Sequence, residues 1–204
     1  TVSNVSYREA KELTLFGAKC LHQKAVYPAE KKNIPIQIMN TLKPRDPGTS
    51  ISAKAVSRGQ VTSISYLGKV THLQIALNTD NDLWPSFFYM KNYLEKLNLA
   101  PLHLSMTEGC LAGIFPGIEE LDMHELTGLG QTSVSANLGL IALVKENITA
   151  QRNLLPAISE CLSDFKFKMM DIGTSSLTVL ILVEAEQTPQ AVNKLHDLLF
   201  AQSV

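Results

Sequence analysis

The sequence predicts an α+β fold: two split β-α-β-β-α-β modules, intertwined along the chain and preceded by a helix-strand segment. Three observations predict it. Short stretches alternate apolar and polar residues at strand period, as in Leu73, Ile75 and Leu77 against His72, Gln74 and Ala76. Between them lie stretches whose apolar residues recur every three or four positions, as in Leu154, Ile158, Cys161, Leu162 and Phe165. Finally, the last unit runs strand, helix, strand, strand, helix and stops at Val204, one strand short of the complete module. The unassigned Val61–Ser65, which precedes the first unit, is the candidate for that missing strand.

The elements follow in order. Ser6 and Glu9 form a capping box that opens a helix carrying Ala10, Leu13, Phe16 or Gly17, and Cys20 on one face. Ile34, Ile36 and Ile38 read as a strand, with Pro35 asking for an edge or a strand start. Pro44, Pro47 and Gly48 mark a break. This predicts a first segment of residues 1–49, a first module of residues 66–137, and a second module assembled from residues 50–65 and 138–204.

Within the first module, a strand at Val70–Leu77 leads through the polar loop Asn78–Asp82 into a helix over Trp84–Leu97. Strands near Leu102–Ser105 and Gly109–Ile114, a short helix near Ile118–Leu126 and a strand near Thr132–Ala136 complete it. The second module begins with the apolar run Leu138–Val144. Thr149 is positioned to cap its first helix. Phe167–Ile172 and Leu177–Val183 form a strand pair, and Thr188 with Pro189 reads as the N-cap and first residue of the last helix.

Composition narrows the function classes. With 45% apolar residues the chain has material for real cores, and a net charge of −1 without any Lys/Arg-rich run leaves no footprint for nucleic acid. The longest apolar runs fall well short of the roughly 20 residues that span a bilayer. Cys20, Cys110 and Cys161 have neither metal-type nor disulfide-type spacing, and are expected as buried thiols of a reducing, cytoplasmic compartment. The five histidines show no ligand spacing, so no metal site is expected. Gly128-Leu129-Gly130 lacks the context of a dinucleotide loop and reads as a turn. The aromatic run Trp84-Pro85-Ser86-Phe87-Phe88-Tyr89 reads first as core filling beneath its helix; a dimer contact or a pocket wall is the alternative.

One resemblance ties these parts together. Ser6-Tyr-Arg-Glu-Ala-Lys-Glu-Leu, Phe16-Gly17-Ala18-Lys19, Leu21-His22, Asn33-Ile-Pro-Ile and Pro47-Gly-Thr look like the closing segment of the aspartate kinase catalytic domain. Two α/β modules behind such a segment resemble the paired ferredoxin-like ACT domains of that family, with Gly173, Ser175, Ser176 and Lys194-Leu195-His196 matching in the second. The resemblance covers essentially the whole chain. It departs at Gln23, where the family usually has Pro after Leu-His. The opening at Thr1 without Met fits a piece cut from a longer protein.

What the resemblance implies is specific. The parent enzyme, with ATP and Mg, would move the γ-phosphoryl group of ATP onto the side-chain carboxylate of aspartate, at the start of lysine, threonine and methionine synthesis. Lys19 matches the family's nucleotide-contacting lysine. The other catalytic residues belong to a part of the family's sequence that this chain lacks. The chain alone is therefore expected to hold no cofactor and to be inactive. Its own role would be regulatory: a cytoplasmic homodimer, formed through the ACT modules, that senses an amino acid. The family's effector site corresponds here to Asp80, Asn81, Asp82, Ser86, Phe87, Leu102, Thr107 and Glu108. Leu102 stands where lysine-sensitive relatives carry Asp. A leucine cannot pair an ammonium group, and desolvating that group without a partner costs several kcal/mol. Lysine is thereby disfavoured, and threonine or methionine are the remaining candidates. Two other readings stay open: an effector-insensitive ACT scaffold, and the same region of a bifunctional aspartate kinase–homoserine dehydrogenase.

Overall fold

The computed structural model describes residues 2–18, 21–53, 61–117, 124–172 and 174–200. The chain divides into two compact units. One holds Thr1–Leu67 with Leu140–Val204, and the other holds Gly68–Gly139.

The first unit begins with strand β1 (Asn4–Val5), helices α1 (Tyr7–Leu15) and α2 (Gln23–Lys31), and strands β2 (Ile36–Ile38) and β3 (Thr49–Ile51). The capping box forms as the sequence requires: the Ser6 hydroxyl accepts from Glu9 N at 3.1 Å, and the Glu9 carboxylate accepts from Ser6 N at 2.9 Å. The helix does not continue to Cys20. It ends at Phe16, because Gly17 takes φ +105° and turns the chain away.

Helix α2, an element beyond those expected from the sequence, begins after its N-cap residue His22. The His22 ring nitrogen Nδ1 accepts from Lys24 N at 3.1 Å. Gln23 is thus the first helical residue. Proline is favoured at that position but not required, so the departure from the family's Leu-His-Pro leaves the turn intact. Asn33, at φ +52°, closes α2: Ile34 N reaches back to Ala29 O at 2.9 Å. Strand β2 begins directly after Pro35 and lies at the edge of a three-stranded sheet of order β1-β3-β2, where a missing N–H is harmless. Val5, Tyr7, Ala10, Val26 and Ile51 form the core of this N-terminal layer.

Two strands are longer than their sequence signals. The separate stretches Val61–Ser65 and Val70–Leu77 are one strand, β4 (Ser63–Leu77), and Thr132–Ala136 joins Leu138–Val144 as β7 (Gly130–Val144). Neither junction, at Tyr66–Lys69 nor at Asn137, carries a breaker strong enough to stop the ladder, although Asn137 adopts φ +58°. Between them the second unit adds α3 (Leu83–Lys96), β5 (His103–Thr107) and β6 (Cys110–Pro116). The strand order in this unit is β5-β6-β4-β7. The helix expected near Ile118–Leu126 falls largely on residues 118–123, outside the described residues. Leu73, Ile75, Met90, Leu94, Leu111 and Phe115 make the core.

The first unit resumes with α4 (Leu154–Cys161), β8 (Phe167–Ile172), β9 (Thr178–Glu184) and α5 (Thr188–Phe200). Its order, β4-β7-β9-β8, uses the opening residues of β4 and the closing residues of β7. Thr62 N donates to Val144 O at 2.9 Å at the head of that pairing. Both units therefore show the ferredoxin-like order, and the modules are intertwined in sequence.

Two capping expectations fail. Thr149 lies in a 3-10 turn (Ile148–Ala150), and α4 starts instead after Asn153. Thr188 is already helical and donates its hydroxyl to Glu184 O at 3.2 Å, since a 3-10 turn at Ala185–Gln187 precedes the helix. Cys110 and Cys161 are half-buried rather than buried, and Cys20 lies outside the described residues.

Candidate functional site

The residues singled out for effector binding all belong to the second unit. Strand β4 ends at Leu77, whose N–H donates to Gly109 O at 2.9 Å; this fixes the β5–β6 turn, with Thr107 and Glu108, beside the end of β4. The next residue, Asn78, donates its N–H to Leu129 O at 3.1 Å. Three chain segments thus converge at one end of the sheet: the loop Asn78–Asp82, the turn after Thr107, and the turn before β7.

Inside the loop, Asn81 N donates to Asn78 O at 3.0 Å and closes a turn with Asp80 exposed at its tip. The Asn81 side-chain amide donates to Gly128 O at 3.2 Å and Leu129 O at 2.7 Å. Asn81 therefore acts first as a clasp. Asp82 is the N-cap residue of α3 by backbone geometry (φ −69°, ψ 139°), yet its side chain makes no capping bond. The start of α3 consequently carries a positive dipole end with no side-chain acceptor on it, which suits a carboxylate. Ser86 is buried on the inner side of that first turn, and Phe87 packs half-buried against the core.

Leu102 is not brought to this place. Its N–H donates to Ile114 O at 2.7 Å, and Thr107 pairs with Cys110 at the far end of the same ladder. Five residue steps of extended chain lead from Leu102 to Thr107, about 17 Å at 3.4 Å per step. Lys19 lies outside the described residues. Among the described residues, no group of three His, Cys, Asp or Glu side chains is placed to hold a metal ion, and no helix is long and apolar enough to cross a membrane.

The surface beside the loop departs from the first expectation for the aromatic run, core filling. Trp84, Phe88 and Tyr89 are 57%, 54% and 47% exposed, so the aromatic run does not fill the core as expected. Only Phe87 turns inward. The rings contact each other, Trp84 edge-on to Phe87 at 6.5 Å and Phe87 to Phe88 at 5.7 Å, as a cluster on the outer face of α3. Residues 84 and 88 are one helical turn apart, and counting from the inward Met90 would have placed both outside.

No family model matches the chain. Over 209 residues it is 23% identical to the lysine-sensitive aspartokinase 3 of Escherichia coli (strain K12), a match covering 98% of this chain and 46% of the relative. Its homologues are aspartokinases. The crystal structure of E. coli aspartokinase III with aspartate and ADP matches with a TM-score of 0.87 and 23% identity, covering 98% of this chain and 47% of that one. The crystal structure of the Clostridium acetobutylicum aspartate kinase matches with a TM-score of 0.85 and 26% identity, covering 97% and 48%. The chain spans about half the length of these relatives and corresponds to the C-terminal part of aspartokinases, with the ACT-type fold of their regulatory domains.

Proposed function

We propose that this chain is the allosteric, amino-acid-sensing and dimerising region of an aspartate kinase, an enzyme that phosphorylates the side-chain carboxylate of L-aspartate with ATP and Mg. The observation that carries the reading is the convergence of the Asn78–Asp82 loop, the Thr107-Glu108 turn and the uncapped start of α3 at one end of the second unit. Backbone N–H groups of the first helical turn would receive an effector carboxylate. Ser86, Asn81 and Phe87 would line the site, and Leu102 of a second copy would close it. The name of the Escherichia coli relative, lysine-sensitive, supports an amino acid as the effector class.

The effector's own side chain decides its identity. A lysine ammonium needs a carboxylate partner, and Leu102 offers none. Asp80, Asp82 and Glu108 are exposed, where an ion pair contributes about 0–1 kcal/mol. Threonine or methionine asks for no carboxylate there. Isothermal titration of the chain with lysine, threonine and methionine tests this: threonine or methionine should bind more tightly than lysine. Tight lysine binding would overturn the effector assignment. No heat with any of the three would favour the second reading, an effector-insensitive dimerisation scaffold, which the aromatic face of α3 also fits.

Activity belongs to the parent enzyme, for which the chain supplies at most Lys19 at the nucleotide phosphates. Phosphoryl transfer depends on cations and positioning around the transferring group, which one lysine does not provide. The isolated chain should form no aspartyl phosphate from ATP and aspartate. A hydroxamate assay showing product would refute this. Fusion of the parent to a homoserine dehydrogenase is compatible with the same regulatory role, and the length of the reading frame distinguishes the two.

A further inference from the structure

The first unit contains a buried carboxylate whose bonds reach beyond the capping box of its own helix. Glu9 is 1% exposed, and three donors converge on it. Its Oε2 accepts from Ser6 N at 2.9 Å, which is the capping-box bond of α1 itself. Its Oε1 accepts from the Thr62 hydroxyl at 2.6 Å and from Glu146 N at 3.0 Å. Thr62 immediately precedes β4, and Glu146 follows the end of β7. These two points are neighbours, as Thr62 N donates to Val144 O at 2.9 Å. One carboxylate thus joins the N-terminal layer to two strands of the ACT-type sheet of the same unit.

Two further bonds extend the seam. Glu12, three residues and nearly one helical turn after Glu9, accepts at Oε2 from the Thr178 hydroxyl at 2.9 Å, at the start of β9. The Ser65 hydroxyl in β4 donates to Phe16 O at 2.6 Å, where α1 ends. Helix α1 is therefore tied at its beginning, middle and end to β4, β7 and β9, which are consecutive in the sheet. Hydrogen bonds to a buried carboxylate are the strong, charge-assisted kind, and losing one donor leaves charge without compensation.

We propose that the Glu9 carboxylate is the joint that couples α1 to the end of the ACT-type sheet, so that displacement of that end moves α1 and the Phe16-Gly17-Ala18 segment that follows it. Glu9 is in this sense a positioning residue: it touches no ligand and acts through the segment it holds. The coupling stands on the geometry of the first unit alone. That it carries a regulatory signal rests on the function proposed above.

Hydrogen exchange of the full chain, read segment by segment without any amino acid added, tests the joint. Thr62→Val keeps the shape and leaves the Ser6–Glu9 capping box intact, but removes the hydroxyl that donates to Glu9. It should accelerate exchange of the α1 amides about tenfold while changing those of β8 and β9 less than twofold, and Thr62→Ser should restore the wild-type pattern. If Thr62→Val does not fold, Thr178→Val tests the Glu12 arm of the same seam, with the same expectation for α1 and with β8 alone as the reference, since Thr178 begins β9. Unchanged α1 exchange, or equal acceleration of α1 and the reference strands, would overturn the proposal, the second because it marks a merely global loss of stability. Because no effector is present, failure here leaves effector binding standing, and failure of effector binding leaves the joint standing.

Discussion

The side-chain amide of Asn81 and the backbone N–H of Asn78 donate to the same acceptor, the carbonyl oxygen of Leu129, at 2.7 and 3.1 Å. One carbonyl with two lone pairs therefore anchors both ends of the loop that precedes α3. Asn81→Ala removes the side-chain half of this clasp while Asn78 keeps the carbonyl satisfied. The expected loss is about 1 kcal/mol, typical of one hydrogen bond. Asp80→Ala, at the exposed tip of the same turn, should stay within about 0.5 kcal/mol of wild type. Urea unfolding followed by fluorescence of Trp84, the single tryptophan of the chain and a residue of the same unit, reports both. Equal effects from the two substitutions would show that the clasp does not hold the loop.

Gly17 fixes the direction in which the chain leaves α1. Its φ of +105° is strained for any residue with a Cβ, and a Cβ there would lie 2.8 Å from the carbonyl oxygen of Tyr66. That oxygen belongs to backbone and cannot rotate aside. Gly17→Ala should therefore destabilise the first unit by about 2 kcal/mol or more, counting strain of order 1–3 kcal/mol together with the clash. Gly68→Ala meets nothing within 4 Å at an ordinary φ and should be neutral or slightly stabilising. Thermal unfolding of the two variants side by side makes the comparison. A harmless Gly17→Ala would mean that the chain leaves α1 by another path.

The sequence was most legible where one local rule decided the outcome. Ser6 and Glu9 are spaced for reciprocal caps, and that box forms. The alternation in Leu73, Ile75 and Leu77 marks the buried face of β4 because a half-buried strand cannot disguise its period of two. Reading was poorer where tertiary context decided. Thr149 and Thr188 have the chemistry of caps, but 3-10 turns at each place shift the true helix start. The strand that enters both units could not be read as one, because Tyr66-Leu67-Gly68-Lys69 interrupts the apolar pattern without ending the backbone ladder. Of the candidate site, the Asn78–Asp82 loop and the Thr107-Glu108 turn were placed together, whereas Leu102 lies at the other end of β5. Position along a ladder depends on register with a partner strand, which spacing within one strand does not reveal.

Trp84 and Phe88 lie one turn apart on the outer face of α3, 6.5 Å between ring centroids, beside the half-exposed Tyr89. Exposed aromatic clusters of this kind mark surfaces of association, where large rings contribute most of the apolar area removed from water. Under the dimerising function proposed above, Trp84→Ser with Phe88→Ser should weaken self-association at least tenfold in sedimentation while changing thermal stability little, since neither ring fills the core. Phe87→Ser, which strips an inward-packed ring, should instead lower stability by about 2 kcal/mol. Unaltered association in the double variant would place the dimer contact elsewhere on the chain.

His72 on β4 pairs with Ile114 on β6, and Ile114 pairs in turn with His103 on β5, so the two imidazoles lie two strands apart on one face of the sheet. His72 is 8% exposed. Burial holds its pKa below the ordinary histidine value of 6.5, and the charge of His103 lowers it further. The sign follows from linkage. Above pH 6.5 His72 is neutral in both folded and unfolded chains and pH makes no difference through it. As pH falls below 6.5 the unfolded chain takes up a proton that the folded one refuses, so stability drops until the folded pKa is reached. The slope through this one group cannot exceed about 1.4 kcal/mol per pH unit. Denaturant midpoints measured from pH 7.5 to 5 should fall on the acid side for the wild type, and His72→Gln should flatten that fall. An equally steep fall in His72→Gln would assign the acid sensitivity to other groups.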